Sequence, residues 1–113
     1  MKHLDLTYLL ENVTDDIDFI KHLLSVFLNS LEGDLESLNS SIHQRDHGRI
    51  KRAAHKVKSS FRSLGMDLMT NRLQEIEDMG HNNFDIRVID VRYADFKRDL
   101  PAVIKEVNDY IRN

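Results

Sequence analysis

The chain has 113 residues, 41% hydrophobic and 31% charged, which is an ordinary balance for a single globular domain spanning residues 1–113. It has no cysteine, which excludes disulfides and thiolate metal sites, and its net charge of −3 does not favour nucleic-acid binding. No signal peptide or membrane-spanning run is present, so we predict a cytoplasmic protein with neither a nucleic acid nor a membrane as partner.

The N-terminal part of the chain predicts a short helix followed by a long one. Asp5 is a suitable cap for a short helix that carries Leu6, Leu9 and Leu10. A longer helix is expected to open at Thr14, with a bend and a cost of ~1 kcal/mol at Gly33. Its apolar stripe recurs every three or four residues, at Ile17, Ile20, Leu24, Phe27, Leu31, Leu35, Leu38 and Ile42.

The first half of this long helix also carries a second apolar line, formed by Phe19, Leu23 and Val26. A helix that is apolar on two faces must be covered twice or must offer a surface to a partner. The three leucines of the short helix are too few to cover the whole line, so part of it is predicted to be exposed. The alternative is that all three side chains are buried beneath the short helix.

Three further helices are predicted after a break at residues 45–48. The first is expected to end at Gly65, the second to stop at Gly80, and the third to begin near Asp85 and to kink or break ahead of Pro101. Their apolar stripes are Ile50, Ala53, Ala54, Val57, Phe61 and Leu64, then Met66, Met69, Leu73 and Ile76, then Ile89, Tyr93, Phe96, Leu100, Val103, Val107 and Tyr110. Short loops between amphipathic helices predict an all-α fold, an antiparallel up-down-up-down four-helix bundle with a short extra N-terminal helix.

His55 lies on the wet face of the helix that precedes Gly65, about 150° from the centre of its apolar stripe. Lys51 stands one turn before the imidazole, Lys58 and Ser59 lie at the next turn, and Arg62 lies two turns on. Neighbouring cations favour a neutral, nucleophilic ring and would stabilise an attached phosphoryl group. A solvated surface histidine without chemistry is the competing interpretation.

The residues around His55 resemble a known signature. The string His55-x-Val57-Lys58-Ser59-Ser60-x-x-x-Leu64-Gly65 is similar to His-x-Leu-Lys-Gly-Ser-x-x-x-Leu-Gly of histidine-containing phosphotransfer (HPt) domains. It departs at Ser59, where that family most often has glycine. The segment Asp16-x-x-Phe19-x-x-x-Leu23-Leu24-x-x-Phe27-Leu28 also looks like the first bundle helix of the family.

The resemblance implies a phosphorelay intermediate in two-component signalling. His55 would accept a phosphoryl group from an aspartate of one receiver domain and pass it to another, the partners being response regulators and a hybrid histidine kinase. Lys58 would be the electrostatic partner, Ser59 and Ser60 hydroxyl donors, and Glu77 the holder of the second ring nitrogen. The sequence shows no nucleotide-binding loop and no acidic cluster suited to Mg²⁺, so a phosphocarrier without a kinase site or cofactor is expected, with Mg²⁺ on the receiver. We also expect a monomer.

A receiver must approach directly over His55, which predicts where it docks. The second apolar line (Phe19, Leu23, Val26) would form the centre of the interface, because a specific interface commonly has an apolar centre within a polar rim. The charged surround would be Lys51, Lys56, Lys58 and Arg62.

Two other classes of function remain open on the sequence alone. A zinc or haem site is one, since the chain has six histidines, but His43 and His47 are separated by a turn, and His3, His22 and His81 have no partner at ligand spacing. A non-catalytic helical adaptor is the other. The initial Met and the compact ends favour a separate protein over a piece of a hybrid kinase.

Overall fold

A computed structural model describes residues 2–113, and within that range the regular structure is entirely helical. The helices are α1 (Leu6–Asn12), α2 (Ile17–His43), α3 (His47–Ser63), α4 (Asp67–His81) and α5 (Ile86–Arg112). The predicted all-α class is confirmed.

Aspartate side chains set most of the helix starts. Asp5, Asp46 and Asp85 each accept a hydrogen bond from a backbone N–H two or three residues on, at the first turns of α1, α3 and α5. Asp16 does the same for α2, accepting from the backbone N–H groups of Asp18 and Phe19. The predicted start of α2 at Thr14 is therefore two residues early, because the carboxylate caps the helix. The Thr14 hydroxyl accepts from the Asp16 backbone N–H instead.

The four longer helices form a ring around one core. Helix α2 packs against α3 and α5, and α4 packs against the same two, so α3 and α5 lie diagonally opposite. Phe61 of α3 stands at the centre, with edge-to-face contacts to Phe27 at 5.1 Å and to Phe96 at 5.7 Å between ring centroids. Because the connecting loops are short, successive helices run antiparallel.

Helix α5 runs unbroken through Pro101, so of the kink or break predicted there, the break is wrong. A proline inside a helix removes a hydrogen bond to the carbonyl four residues earlier. Here that carbonyl belongs to Lys97, and both residues are exposed. Water can replace the lost donor at this position, which lets the helix continue.

Gly80 lies inside α4 and is not its stop, because the helix ends at His81. A Cβ placed on Gly80 would lie 2.9 Å from the backbone nitrogen of Lys51 and 3.1 Å from the carbonyl oxygen of His47. The glycine therefore allows the backbones of α3 and α4 to approach closely. The helix also continues through Gly33.

Helix α1 leaves the second apolar line open. Phe19 and Val26 are 46% and 50% exposed, and Leu23 is half-buried. The alternative of burial beneath α1 is wrong, because α1 lies instead on the α3–α4 turn. There Gly65 has a φ of 71°, and a Cβ on it would overlap the ring of Tyr8. Ile17, predicted in the core stripe, is also exposed.

Candidate functional site

His55 lies near the middle of α3 with its side chain 57% exposed. The opposite face of the same helix is fully buried through Ala54, Val57 and Phe61. The ring is thus held on a helix that the core fixes, while its edge faces solvent. Such placement favours a group that must meet a second molecule in a defined orientation.

The carboxylate of Glu77 reaches this ring from α4. Its Oε1 lies 2.9 Å from Nδ1 of His55, and the Glu77 side chain is 15% exposed. Glu77 follows Leu73 and Ile76, whose burial fixes this face of α4 against α3. The structure therefore brings together the two residues that the resemblance implied would pair.

Lys58 is buried, which contradicts its predicted position on the wet face. Its ammonium donates to Oε1 of Glu77 at 2.9 Å and to Oε1 of Gln74 at 2.8 Å. The side chain is 5% exposed because α4 covers this flank of α3. Lys58 thus contacts the ring only through Glu77, and it is not a free cation awaiting a phosphoryl group.

Gln74 and Asp78 extend this arrangement and were missed from the sequence. The Gln74 amide nitrogen donates to Oδ1 of Asp78 at 2.9 Å, so its oxygen is turned towards Lys58. Gln74 lies three residues before Glu77, on the same face of α4. That spacing was a signal that could have identified it. We call His55, Glu77, Lys58, Gln74 and Asp78 the α3–α4 network.

The contact with Glu77 sets which nitrogen of the neutral imidazole carries the proton. Although burial raises the pKa of Glu77, hydrogen bonds from Lys58 and His55 outweigh it and hold that pKa below its usual value. An ionised carboxylate only accepts hydrogen bonds, so Nδ1 of His55 is assigned the proton. The other nitrogen, Nε2, then carries an unshared electron pair at the exposed edge.

The remaining predicted cations are turned to neighbouring helices or to solvent. Lys51 contacts Nδ1 of His81 on α4 at 3.1 Å, and Lys56 pairs with Asp34 on α2 at 3.0 Å. Arg62 is exposed. Both positive and negative side chains therefore surround His55, and the prediction that only cations surround the imidazole is wrong.

The two predicted hydroxyl donors do not contact the imidazole. Ser59 donates to the carbonyl oxygen of His55 at 3.0 Å, a bond within its own helix. Ser60 is half-buried and faces α2, and its carbonyl oxygen accepts from the Ser63 hydroxyl at 2.8 Å. Ser59 therefore acts as a small neighbour of the ring, and Ser60 belongs to a different surface.

That surface is an open cleft of about 380 Å³ between α2 and α3, which we call the α2–α3 groove. It is lined by Val13, Leu23, Val26, Phe27, Ser30, Ser60, Ser63 and Leu64. The apolar wall comes mainly from α2 and two of the hydroxyls from α3. The groove thus joins the exposed part of the second apolar line to the helix that carries His55.

Residues 2–113 form neither a metal-binding cluster nor a membrane-spanning helix. No group of three or more His, Asp or Glu side chains there is arranged to hold a metal ion. Nε2 of His47 instead lies 2.6 Å from the carbonyl oxygen of Phe84, and His81 contacts Lys51. No helix in the same range has the length and apolar character needed to cross a bilayer.

Comparison with known proteins agrees with this geometry. The Hpt domain family matches residues 22–110. The chain is also similar to phosphorelay intermediate protein YPD1 of Candida albicans, at 29% identity over 72 residues, which is 63% of this chain and 39% of that protein. The match thus spans well under half of the relative, and no solved structure matches the chain. The family match includes most of the chain and the signature around His55. The chain therefore belongs to the Hpt domain family.

Proposed function

We propose that this chain is a phosphorelay intermediate of two-component signalling that carries the phosphoryl group on Nε2 of His55. One observation supports the proposal most directly. The ring is exposed, its Nδ1 is engaged by Glu77 at 2.9 Å, and its Nε2 is left with a free electron pair. Membership of the Hpt domain family and the name of the YPD1 relative favour the same role.

The proposed transfer requires little covalent chemistry from this chain. Nε2 attacks the phosphorus of an aspartyl phosphate on a receiver domain, the N–P bond forms, and the P–O bond to the aspartate breaks. No proton has to leave Nε2, because the proton already lies on Nδ1. The second transfer reverses these steps on another receiver, so that orientation and charge are the chain's main contributions.

The receiver is expected to supply the remaining chemistry. The sequence has no nucleotide-binding loop, which favours a phosphocarrier without a kinase site of its own. We propose that Mg²⁺ is held by the acidic pocket of the receiver, where it would neutralise charge on the transferring group. The proposed partners are receiver domains of a hybrid histidine kinase and of response regulators.

We propose that the receiver docks over the α2–α3 groove. Phe19 and Val26 expose apolar surface beside it, and Leu23 lines it. Lys56 and Arg62 lie on the exposed side of α3 and would form part of the charged rim. An apolar centre with a charged rim would orient His55 towards the receiver aspartate and steer an acidic pocket.

Transfer of labelled phosphate tests this proposal. Purified receiver domains are first phosphorylated with radiolabelled acetyl phosphate and then incubated with the chain. We expect label that is acid-labile and alkali-stable, as phosphohistidine is, to appear on the wild-type chain. His55→Gln should abolish the label and leave the melting temperature unchanged, because the ring lies outside the core.

The alternative function is a non-catalytic adaptor. A panel of receivers that binds the chain without transferring label would favour the adaptor, and label retained by His55→Gln would end the carrier proposal.

The cytoplasmic location and the monomeric state stay predictions, because a helical surface of this kind suits any aqueous compartment and several oligomeric states.

A further inference from the structure

Resting on the carrier role proposed above, we propose that the carboxylate of Glu77 is the counter-ion of the phosphorylated ring. In this inference Glu77 keeps the proton on Nδ1 after the phosphoryl group has bonded to Nε2. The phosphoryl group is then carried on a cationic imidazolium ring, which is the form from which it leaves most easily.

The balance of charge explains why a counter-ion matters. The neutral ring begins with one proton, on Nδ1, and uses the electron pair of Nε2 to form the N–P bond. If no proton is lost, the ring becomes an imidazolium. When the N–P bond later breaks, the electron pair returns to Nε2 and the leaving group is neutral imidazole. If the Nδ1 proton has been lost, the leaving group is an imidazolate anion, which is far poorer.

The position of Glu77 suits it to hold that proton. Its Oε1 lies 2.9 Å from Nδ1, and the Glu77 side chain is only 15% exposed, so solvent screens the carboxylate less than it screens a surface charge, although the His55 side chain is 57% exposed. The lowered pKa of Glu77 makes it a weak base, which favours retention of the proton on the ring. A carboxylate in this place stabilises the charged ring without taking its proton.

Lys58 opposes this effect and so tunes it. Its ammonium shares the same Oε1 of Glu77 at 2.9 Å, and Gln74 holds it there at 2.8 Å. The positive charge of Lys58 therefore offsets part of the negative charge of Glu77. Removing Lys58 should strengthen the electrostatic stabilisation of the charged ring by Glu77.

The other charged groups around the ring are engaged elsewhere. Lys51 of α3 contacts His81 of α4, and Lys56 of α3 pairs with Asp34 of α2. Asp78 of α4 accepts from the Gln74 amide. Among the described residues, Glu77 is the anion that contacts His55, which makes it the side chain to vary.

The test measures the protonation of the phosphorylated ring directly. The full chain, labelled with ¹⁵N-histidine, is phosphorylated with potassium phosphoramidate, and the Nδ1 chemical shift is followed against pH. The signal that is missing in His55→Gln identifies the ring. Glu77→Gln preserves the shape of the side chain but removes its negative charge, so it should lower the midpoint of the Nδ1 titration by about one pH unit. Lys58→Met should raise it.

Glu75→Gln is the matched control. Glu75 lies on the same helix, but its side chain is 57% exposed and faces Arg92, so its titration midpoint should equal that of the wild type. A second readout is loss of phosphate at neutral pH, which should be several-fold slower in Glu77→Gln, because its ring loses the Nδ1 proton more readily.

Each outcome bears on a different statement. If phosphoramidate loads the wild type and the midpoint is the same in Glu77→Gln, the counter-ion inference is wrong while the carrier role stands. If the Nδ1 titration midpoint of Lys58→Met equals or lies below that of the wild type, Lys58 does not oppose Glu77. This comparison does not depend on the Glu77 variant. If the wild type takes up no phosphate on His55, the carrier role itself fails.

Discussion

The two flanks of α3 differ in character, although both border His55. Towards α4 the flank is closed and polar: Lys58 is buried, and its ammonium and the imidazole share one oxygen of Glu77. Towards α2 it is open and mostly apolar, with Leu23 and Val26 lining a groove. The polar flank orients the His55 ring through a hydrogen bond, whereas the apolar flank exposes hydrophobic surface that makes no contact with the ring.

This difference separates two tasks that a phosphocarrier must perform. Orientation of a nucleophile needs short, directional bonds in a place that solvent screens weakly. Recognition of a partner needs exposed apolar surface from which water is excluded when the complex forms. The predictions below test whether the two flanks can be damaged separately, and they run from the largest expected effect to the smallest.

The strongest effect is expected at the closest approach of α3 and α4. Gly80→Ala places a methyl group 2.9 Å from the backbone nitrogen of Lys51, so it should lower the free energy of unfolding by about 1–3 kcal/mol. It should also loosen the contact between His55 and Glu77, which ring ¹⁵N shifts report. Chemical denaturation measures the stability.

Gly33→Ala is the matched control for this variant. Nothing lies within 4 Å of the added methyl group, so the change should raise the stability by up to about 1 kcal/mol. If both alanine variants shift stability in the same direction, close approach at Gly80 is not what holds this flank.

The next effect should be confined to the apolar flank. Val26→Glu places a charge on the proposed docking surface and should weaken receiver binding at least tenfold, or about 1.4 kcal/mol. Val91→Glu is the control, because Val91 is similarly exposed, at 59%, but lies on α5, diagonally opposite α3. Binding of a phosphorylated receiver is measured by calorimetry. Equal losses in both variants would contradict docking over the α2–α3 groove.

A smaller effect on the polar flank follows from the lowered pKa of Glu77. A carboxyl whose folded-state pKa is lowered contributes stability above its ordinary value of 4.5, and that stability is lost as pH falls through the lowered pKa. Wild type should therefore exceed Glu77→Gln by about 1 kcal/mol at pH 7. The gap should narrow as pH falls below 4.5 and close below the lowered pKa, which thermal melts over a series of pH values would show. A gap that persists in acid would contradict this account.

The smallest effect is expected for Lys56→Gln. Its ion pair with Asp34 is formed by a lysine side chain that is 74% exposed, so its loss should change stability by less than about 1 kcal/mol. Loading of His55 by phosphoramidate should not change. A large loss of loading would mean that the exposed lysine, and not the buried Lys58, acts on the ring.

The sequence predicted the helices well because each leaves a local signal. Asp5 and Asp85 cap helices where expected, and the stripe through Ala54, Val57 and Phe61 is buried as predicted. These features depend on spacing along one helix. The motif around His55 also identified the family, because it is a string of adjacent residues.

The errors arose where a neighbouring helix decides the outcome. Lys58 has the spacing of a wet-face residue, but α4 covers that flank, and the periodicity of α3 cannot say which flank is covered. Gly80 has the appearance of a helix stop, although its role depends on the backbone of α3. Pro101 would weaken an isolated helix, but Phe96 and Val103 on either side of it are buried against the neighbouring helices, and the freed Lys97 carbonyl is exposed to water.

The ring order of the helices has a consequence for how a carrier of the proposed kind could change over generations. Because α2 and α4 contact opposite flanks of α3, substitutions along the exposed line at Phe19 and Val26 are separated from Glu77 by the helix that carries His55. If a receiver docks on α2 as proposed, substitutions there would change the choice of partner without disturbing the His55 ring. On the proposed docking mode, replacing the outer face of α2 would be the direct way to give this scaffold a new partner.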